Sequence, residues 1–353
     1  MPIESHDPGP DRTVLNLAWG HLASAAVGAV ARIGVADHLV GSPRTASELA
    51  ALTGVDQLSL QRTLRFLAST GTFYEDGRGR FHLTAAAERL STQSPLSLRD
   101  AVIFLTEPIF WRTIAQFPDT LHNGRTAFDD IFGTPLWEHL SQNPTAAGIF
   151  DAGMVSYSAP QDAAIADTFD TSGVSKVVDV GGGRGGLLSL LLSQDPKLTG
   201  VLYDRKPVLA EHLLDTPELT GRWETVPGDF FESVPTGGDL YILKHILHDW
   251  SDEECISILR CCRDAMTPGS RLLVAETIAP PPNTPHYVWS LDMMMMALLT
   301  GRERTREEFE QLFAAADLTL TRVTVTASYS SMAIMELVTR PEQSTASGQE
   351  VIR

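Results

Sequence analysis

Cysteine is scarce in this 353-residue chain. There are three, Cys255, Cys261 and Cys262, all on one predicted helix. Clustered in this way they fit neither a disulfide framework nor a zinc ligand set, and reduced thiols are expected. Basic residues are also few: 27 Lys and Arg stand against 44 Asp and Glu, for a formal net charge of −17. Phosphate binding needs clustered Lys and Arg, so no nucleic-acid partner is expected. No apolar run reaches the length of a membrane span, and Met1-Pro2-Ile3-Glu4-Ser5-His6-Asp7 lacks the basic start and apolar core of a signal peptide. What remains is a cytoplasmic globular protein without a membrane partner, long enough for two domains.

Glycine, by contrast, is concentrated where it carries information. Val177-Val178-Asp179-Val180-Gly181-Gly182-Gly183-Arg184-Gly185-Gly186 reads as a strand that turns abruptly into a helix. Glycines allow a tight turn and close approach of backbone to a ligand, and the helix start at Gly185 to Leu192 presents free N–H groups. Leu198 to Tyr203 reads as the next strand, with Asp204 at its carboxyl end, where a carboxylate suits a ribose diol. Gly181, Gly183 and Gly186 also satisfy the G-x-G-x-x-G of NAD enzymes. Asp179 decides between the two: a pyrophosphate disfavours an acid at the turn, whereas the sulfonium and ammonium of S-adenosylmethionine (SAM) favour one.

Residues 1–12 read as a disordered tail, as do residues 341–353. From Val14 to Leu39 the chain is Ala-rich with helical spacing. Thr45-Ala46-Ser47-Glu48 is a capping box, Gly54 ends the short helix after it, and Asp56 opens another with Leu60, Leu64 and Leu67 on one face. Phe73-Tyr74-Glu75 and Arg80-Phe81-His82-Leu83 flank a turn, Asp76-Gly77-Arg78-Gly79, and form a predicted hairpin. This order is that of a winged helix over residues 13–95. A DNA-binding regulator would need a basic face there, but Glu75 and Asp76 stand beside Arg78 and Arg80, so a dimerisation domain is the favoured reading. Residues 96–170 are read as a helical linker. Residues 171–340 alternate strand and helix, with strands at 174–180, 198–203, 222–226, 239–244, 271–277, 318–326 and 332–338. That rhythm predicts an α/β fold with a mostly parallel, seven-stranded sheet covered on both faces. The last two strands have no helix between them and should pair antiparallel.

After the fourth strand comes His245-Ile246-Leu247-His248-Asp249-Trp250, then the capping box Ser251-x-x-Glu254. His248 thus falls between a strand's carboxyl end and a helix N-terminus, which lowers a histidine's pKa and suits a general base. His245 is read as a core or capping histidine. Glu276 ends the fifth strand, and Glu303 lies just before the capping box Thr305-x-x-Glu308. Two acids on the same edge suggest a base held in tautomer and orientation.

Together, Asp179-Val180-Gly181-Gly182-Gly183, Pro227-Gly228-Asp229-Phe230-Phe231, Leu243-Lys244, His248-Asp249-Trp250-Ser251-Asp252, Ala275-Glu276 and Glu303-Arg304-Thr305 resemble the SAM-dependent small-molecule O-methyltransferases. These include plant caffeate and flavonoid enzymes and bacterial natural-product tailoring enzymes. The resemblance covers nearly the whole chain. It implies a Rossmann-like class I methyltransferase domain behind an N-terminal helical, winged-helix dimerisation domain. For the cofactor it implies Asp179, Gly181 and Gly183 at the methionine part of SAM, Asp204 on the ribose, Asp229 on the adenine amino group and Phe230 on the ring, with Lys244 and Trp250 lining the site. His248 would be the base, flanked by Glu276 and Glu303. Phe150, Met154, Ser158, Asp249 and Met295 would face the acceptor, within a methionine run from Met293 to Met296. The pattern departs from the family at Gly301, which stands alone and makes that loop a residue shorter, and at Arg205-Lys206 after Asp204.

The implied reaction transfers a methyl group from SAM to a hydroxyl, phenolic in the first place, of a small aromatic natural product. It leaves a methyl ether and S-adenosylhomocysteine (SAH), needs no metal, and takes place in a homodimer. The alternative is a relative that binds SAM yet hydroxylates, decarboxylates or catalyses a pericyclic step.

Overall fold

The computed structural model describes residues 9–327 and 331–340, so both expected tails lie outside the described residues except at 9–12. There the first helix has already begun, running Pro10–Arg32. Pro10 suits the first turn because its ring fixes a helical φ and its missing N–H has no helical partner. By length and composition this helix could cross a membrane. That corrects the reading that no apolar stretch is long enough: alanine and glycine spread among larger apolar residues supply the character. Val14, Leu15, Leu17, Trp19 and Leu22 on it are all exposed, Leu17 at 79%.

The chain divides into two compact units, residues 1–116 with 137–159, and residues 117–136 with 160–353. These divisions do not fall at 95 and 170. The helix Pro144–Thr168 passes from the first unit into the second, and Pro160 lies within it.

In the first unit the local chemistry acts as the sequence suggests. Thr45 and Glu48 form a reciprocal capping box on the helix Ala46–Thr53, and Asp56 caps Gln57–Ser69 through the Ser59 N–H. Leu60, Leu64 and Leu67 of the latter are buried with Phe73 and Phe81. Strands β1 (Arg44–Thr45), β2 (Phe73–Glu75) and β3 (Arg80–Leu83) form a small sheet in the order β1-β3-β2. Asp76 Oδ1 fixes the hairpin tip by accepting from the Arg78 and Arg80 N–H groups at 2.8 and 2.9 Å. β1 has only two residues, too few to show a period in sequence. Arg65, although exposed, pairs its charge with Glu75 at 3.0 Å.

The second unit is built on β4 (Lys176–Val180), β5 (Thr199–Asp204), β6 (Trp223–Pro227), β7 (Leu240–Lys244), β8 (Arg271–Glu276), β9 (Leu318–Val325) and β10 (Ala333–Thr339). Each end lies within a residue or two of its expected place. The sheet order is β6-β5-β4-β7-β8-β10-β9, and β10 runs antiparallel to both β8 and β9. Alternation along the strands feeds two cores. Val178, Tyr241 and Val274 pack with Ile258, Leu259, Phe309 and Phe313, while Val177, Ile242 and Leu273 pack with Leu187, Leu188, Leu191 and Ile165. Each such side chain stabilises the fold by about 1.5–3 kcal/mol relative to exposure. Because β4 to β8 are parallel, Val180, Asp204, Pro227, Lys244 and Glu276 end at one edge, where ligands bind in open sheets.

Candidate active site at the carboxyl edge of the sheet

After β4 the backbone turns at Gly181, whose N–H donates to the Tyr203 carbonyl at 2.8 Å. A Cβ at Gly181 would stand 2.6 Å from Ile246 Cδ1 and 3.4 Å from Phe230 Cε1. Gly183 has φ 60°, the left-handed region that a side chain disfavours, and its N–H donates to Asp204 Oδ2 at 2.8 Å. Asp204 Oδ1 accepts from the Arg205 N–H at 2.7 Å, so this carboxylate braces the turn as well as closing β5. Asp179 lies beneath Gly182 and is 2% exposed. Burial pushes its carboxyl up to about 7; Lys244 opposes that rise, and Asp162 and Asp204 add to it.

Asp229 follows β6 at the surface, its Oδ1 accepting from the Phe231 N–H at 2.9 Å. Phe230 meets Trp250 edge to face, with ring centroids 6.0 Å apart. Lys244, the last residue of β7, forms a mostly buried ion pair with Asp162. A glycine turn with room for backbone approach, exposed and edge carboxylates for hydroxyl and amine donors, and aromatic rings beside them suit the parts of SAM.

His248 stands in a short 3₁₀ turn, Leu247–Asp249, between β7 and the helix Asp252–Ala265. Its Nδ1 is 2.8 Å from Glu303 Oε1, and its Nε2 is 3.4 Å from Asp249 Oδ1. Glu276 lies beside His248 and also holds backbone. Its Oε1 accepts from the Ile246 and Leu247 N–H groups at 3.0 and 2.8 Å, anchoring the loop that carries the base, while Oε2 lies 3.9 Å from His248 Nδ1. Burial and backbone position would lower the His248 pKa, as the sequence suggests. The structure reverses this: against burial, Glu276, Asp249 and Glu303 raise it to about 10. The carboxylates outweigh a helix end because all three lie within reach of one imidazole. Burial likewise pushes Asp249 up to about 7, with His248 pulling the other way.

His245 is buried, as its reading as a core histidine expects. Its φ of 52° turns the chain sharply, its Nε2 meets Gln161 Oε1 at 3.1 Å, and its Nδ1 lies 3.7 Å from Glu276 Oε2. Burial holds its pKa below the ordinary value. The sequence showed no metal-ligand cluster, yet ligand atoms of His245, His248 and Glu276 come within 4.8 Å of one another. His248 Nδ1, 3.9 Å from Glu276 Oε2, is already bonded to Glu303. His245 Nδ1, Glu276 Oε2 and Glu303 Oε2 are buried without a hydrogen-bond partner among the described residues.

Despite the shortened loop, Glu303 reaches His248. Asp292 Oδ1 accepts from the Glu303 N–H at 2.8 Å. A Cβ at Gly301 would stand 2.0 Å from the His248 carbonyl oxygen and 2.5 Å from the Trp250 nitrogen, so this glycine lets the two loops touch. Sequence reasoning gave no individual role to Arg304, which is fully buried and donates to the Leu247 and Trp250 carbonyls at 2.7 and 2.8 Å. It also missed Asp292, although a lone acid in Leu291-Asp292-Met293-Met294 was a visible signal. Met295 is buried on the helix Val288–Leu298, whereas Met293 is exposed. Phe150, Met154 and Ser158 belong to the first unit, where Phe150 meets Phe104 and Trp137 edge to face at 5.2 and 5.5 Å.

An O-methyltransferase domain matches residues 111–318, and an O-methyltransferase dimerisation domain matches residues 15–93. A phenazine O-methyltransferase of Lysobacter antibioticus is 38% identical over 320 residues, covering 89% of this chain and 93% of that one. The SAH-bound structure of the methyltransferase CalO1 of calicheamicin biosynthesis superposes with a TM-score of 0.84 at 41% identity, over 94% of this chain and 100% of that one. An O-methyltransferase from neocarzinostatin biosynthesis, solved with SAM and 2-hydroxy-5-methyl naphthoic acid, superposes with a TM-score of 0.74 at 32% identity, over 90% and 96%. The chain belongs to the SAM-dependent O-methyltransferase family.

Proposed function

We propose that this enzyme methylates a hydroxyl, phenolic in the first place, on a small aromatic natural product. The observation that carries the reading is His248, oriented through Nδ1 by Glu303 and placed on the same sheet edge as the glycine turn. The aromatic acceptors named for the relatives support the substrate class. Bound SAM supplies the sulfonium methyl, and the products are a methyl ether and SAH.

With Nδ1 held by Glu303, His248 Nε2 is the nitrogen that takes the acceptor's proton. A phenol ordinarily loses its proton near pH ~10, and His248 is itself pushed up to about 10. Proton exchange between the two is therefore nearly balanced, and the reactive form is the pair that holds a single proton. Asp249, beside Nε2, would orient the acceptor hydroxyl. Asp204 would hold the ribose, Asp229 the adenine amino group, and Phe230 and Trp250 the ring. Gly181, Gly183, Asp179 and Lys244 would surround the methionine end. Met295, buried on the helix Val288–Leu298, would face the acceptor. We assign the dimerisation domain and its exposed apolar helix to a homodimer interface, and place the enzyme in the cytoplasm, where thiols such as Cys255, Cys261 and Cys262 stay free.

The test is methyl-deuterated SAM offered with a panel of phenolic and amine scaffolds, read by mass spectrometry, with wild type and His248→Ala. Label on a phenolic oxygen with wild type alone is the expected result. Label on an amine would change the acceptor class, conversion without label would move the enzyme to non-methylating chemistry, and full turnover by His248→Ala would remove the base assignment.

A further inference from the structure

The methionine part of SAM is an α-amino acid zwitterion, and the edge of the sheet holds a buried pair of the opposite arrangement. Asp162 lies on the helix Pro144–Thr168, just after Pro160, and its side chain is 7% exposed. One carboxylate oxygen, Oδ1, takes the Lys244 ammonium at the end of β7. The other, Oδ2, lies 2.8 Å from where a Cβ on Gly186 would stand. Glycine at the start of the helix Gly186–Gln194 thus lets a carboxylate lie against the very turn that approaches the cofactor.

Charge counting points the same way. Lys244 acts on Asp179 against Asp162 and Asp204, so the Asp162–Lys244 pair lies in a field of neighbouring carboxylates. Removing two charges from water is costly, and a buried ion pair is weak ground for a purely stabilising role. A bound ligand that brings one charge of each sign would satisfy both members. We propose that Asp162 and Lys244 together read the zwitterion of the cofactor, Asp162 taking its α-ammonium and Lys244 its carboxylate. This rests on the assignment of residues 181–186 to the methionine end of the SAM site. It adds a residue from outside the sheet to that site.

The test is calorimetric titration of the full-length protein with three ligands: SAH, which carries the whole zwitterion; decarboxylated SAM, which keeps only the ammonium; and methylthioadenosine, which has neither. Charge-assisted hydrogen bonds are worth about tenfold or more in affinity. Asp162→Asn should weaken SAH and decarboxylated SAM by about that factor and leave methylthioadenosine within about twofold. Lys244→Met should weaken SAH but neither of the other two. If Asp162→Asn weakens methylthioadenosine as much as SAH, its role is structural and the proposal falls. Unchanged SAH affinity in Asp162→Asn overturns it equally. A wild-type protein that binds neither SAH nor methylthioadenosine would instead remove the site assignment beneath it.

Discussion

At the scale of single residues, the chemistry turns on how many carboxylates address one imidazole. Glu303 accepts at His248 Nδ1, Asp249 stands near Nε2, and Glu276 lies behind with Oε1 committed to backbone. Their combined negative charge favours imidazolium, so the proton-deficient pair that reacts becomes populated as pH rises toward 10. Removing one carboxylate lowers the pKa and brings the base into its active form sooner. Glu303→Gln should therefore shift the rising limb of the kcat/KM profile to lower pH and reduce kcat by about 10- to 100-fold as orientation is lost. SAH affinity should stay the same. A pH–rate profile of the variant checks this, and a limb that stays in place would detach Glu303 from the base.

At the scale of elements, the site is an agreement among three loops, two that follow strands and one between helices. β7 delivers His248, β8 delivers Glu276, and the segment before the helix Arg306–Ala315 delivers Glu303. Arg304 ties these loops through the Leu247 and Trp250 carbonyls and Asp252. Gly301 allows the approach, since any Cβ there overlaps backbone of residues 248–250. Gly301→Ala should cost about 3 kcal/mol, at the upper end for overpacking, because the obstructing atoms cannot swing aside. The expected outcome is a lower melting temperature together with lost turnover. Wild-type melting and activity in this variant would mean that the loops do not meet this closely.

At the scale of the whole molecule, the exposed apolar face of the helix Pro10–Arg32 is the feature that a single chain leaves unsatisfied. Leu17 and Trp19, 79% and 56% exposed, lie within the matched dimerisation domain. Large exposed apolar patches mark interaction surfaces. If this face is the homodimer contact, Leu17→Glu places a charge in an apolar interface and should convert the dimer to monomer in sedimentation or light-scattering measurements. A variant that remains dimeric would place the contact elsewhere.

The sequence by itself determined the elements and their order. Alternating apolar residues, capping boxes at Thr45, Ser251 and Thr305, and glycines at 181–186 act over a few residues, so strands, helix starts and the glycine turn could be read directly. It also placed His248 and Glu276 on one edge, because parallel strands put their carboxyl ends together, and set Glu303 beside them by its capping box. What only the tertiary structure decided is how those groups divide their bonds. Glu276 holding backbone, His245 facing Glu276, Asp292 holding the Glu303 N–H, and Asp162 meeting Lys244 across 82 residues are contacts between distant segments. No local period encodes them. The His248 pKa shows the consequence: a helix end, visible in sequence, lowers it, and three carboxylates gathered by the fold raise it, and at these distances the carboxylates win.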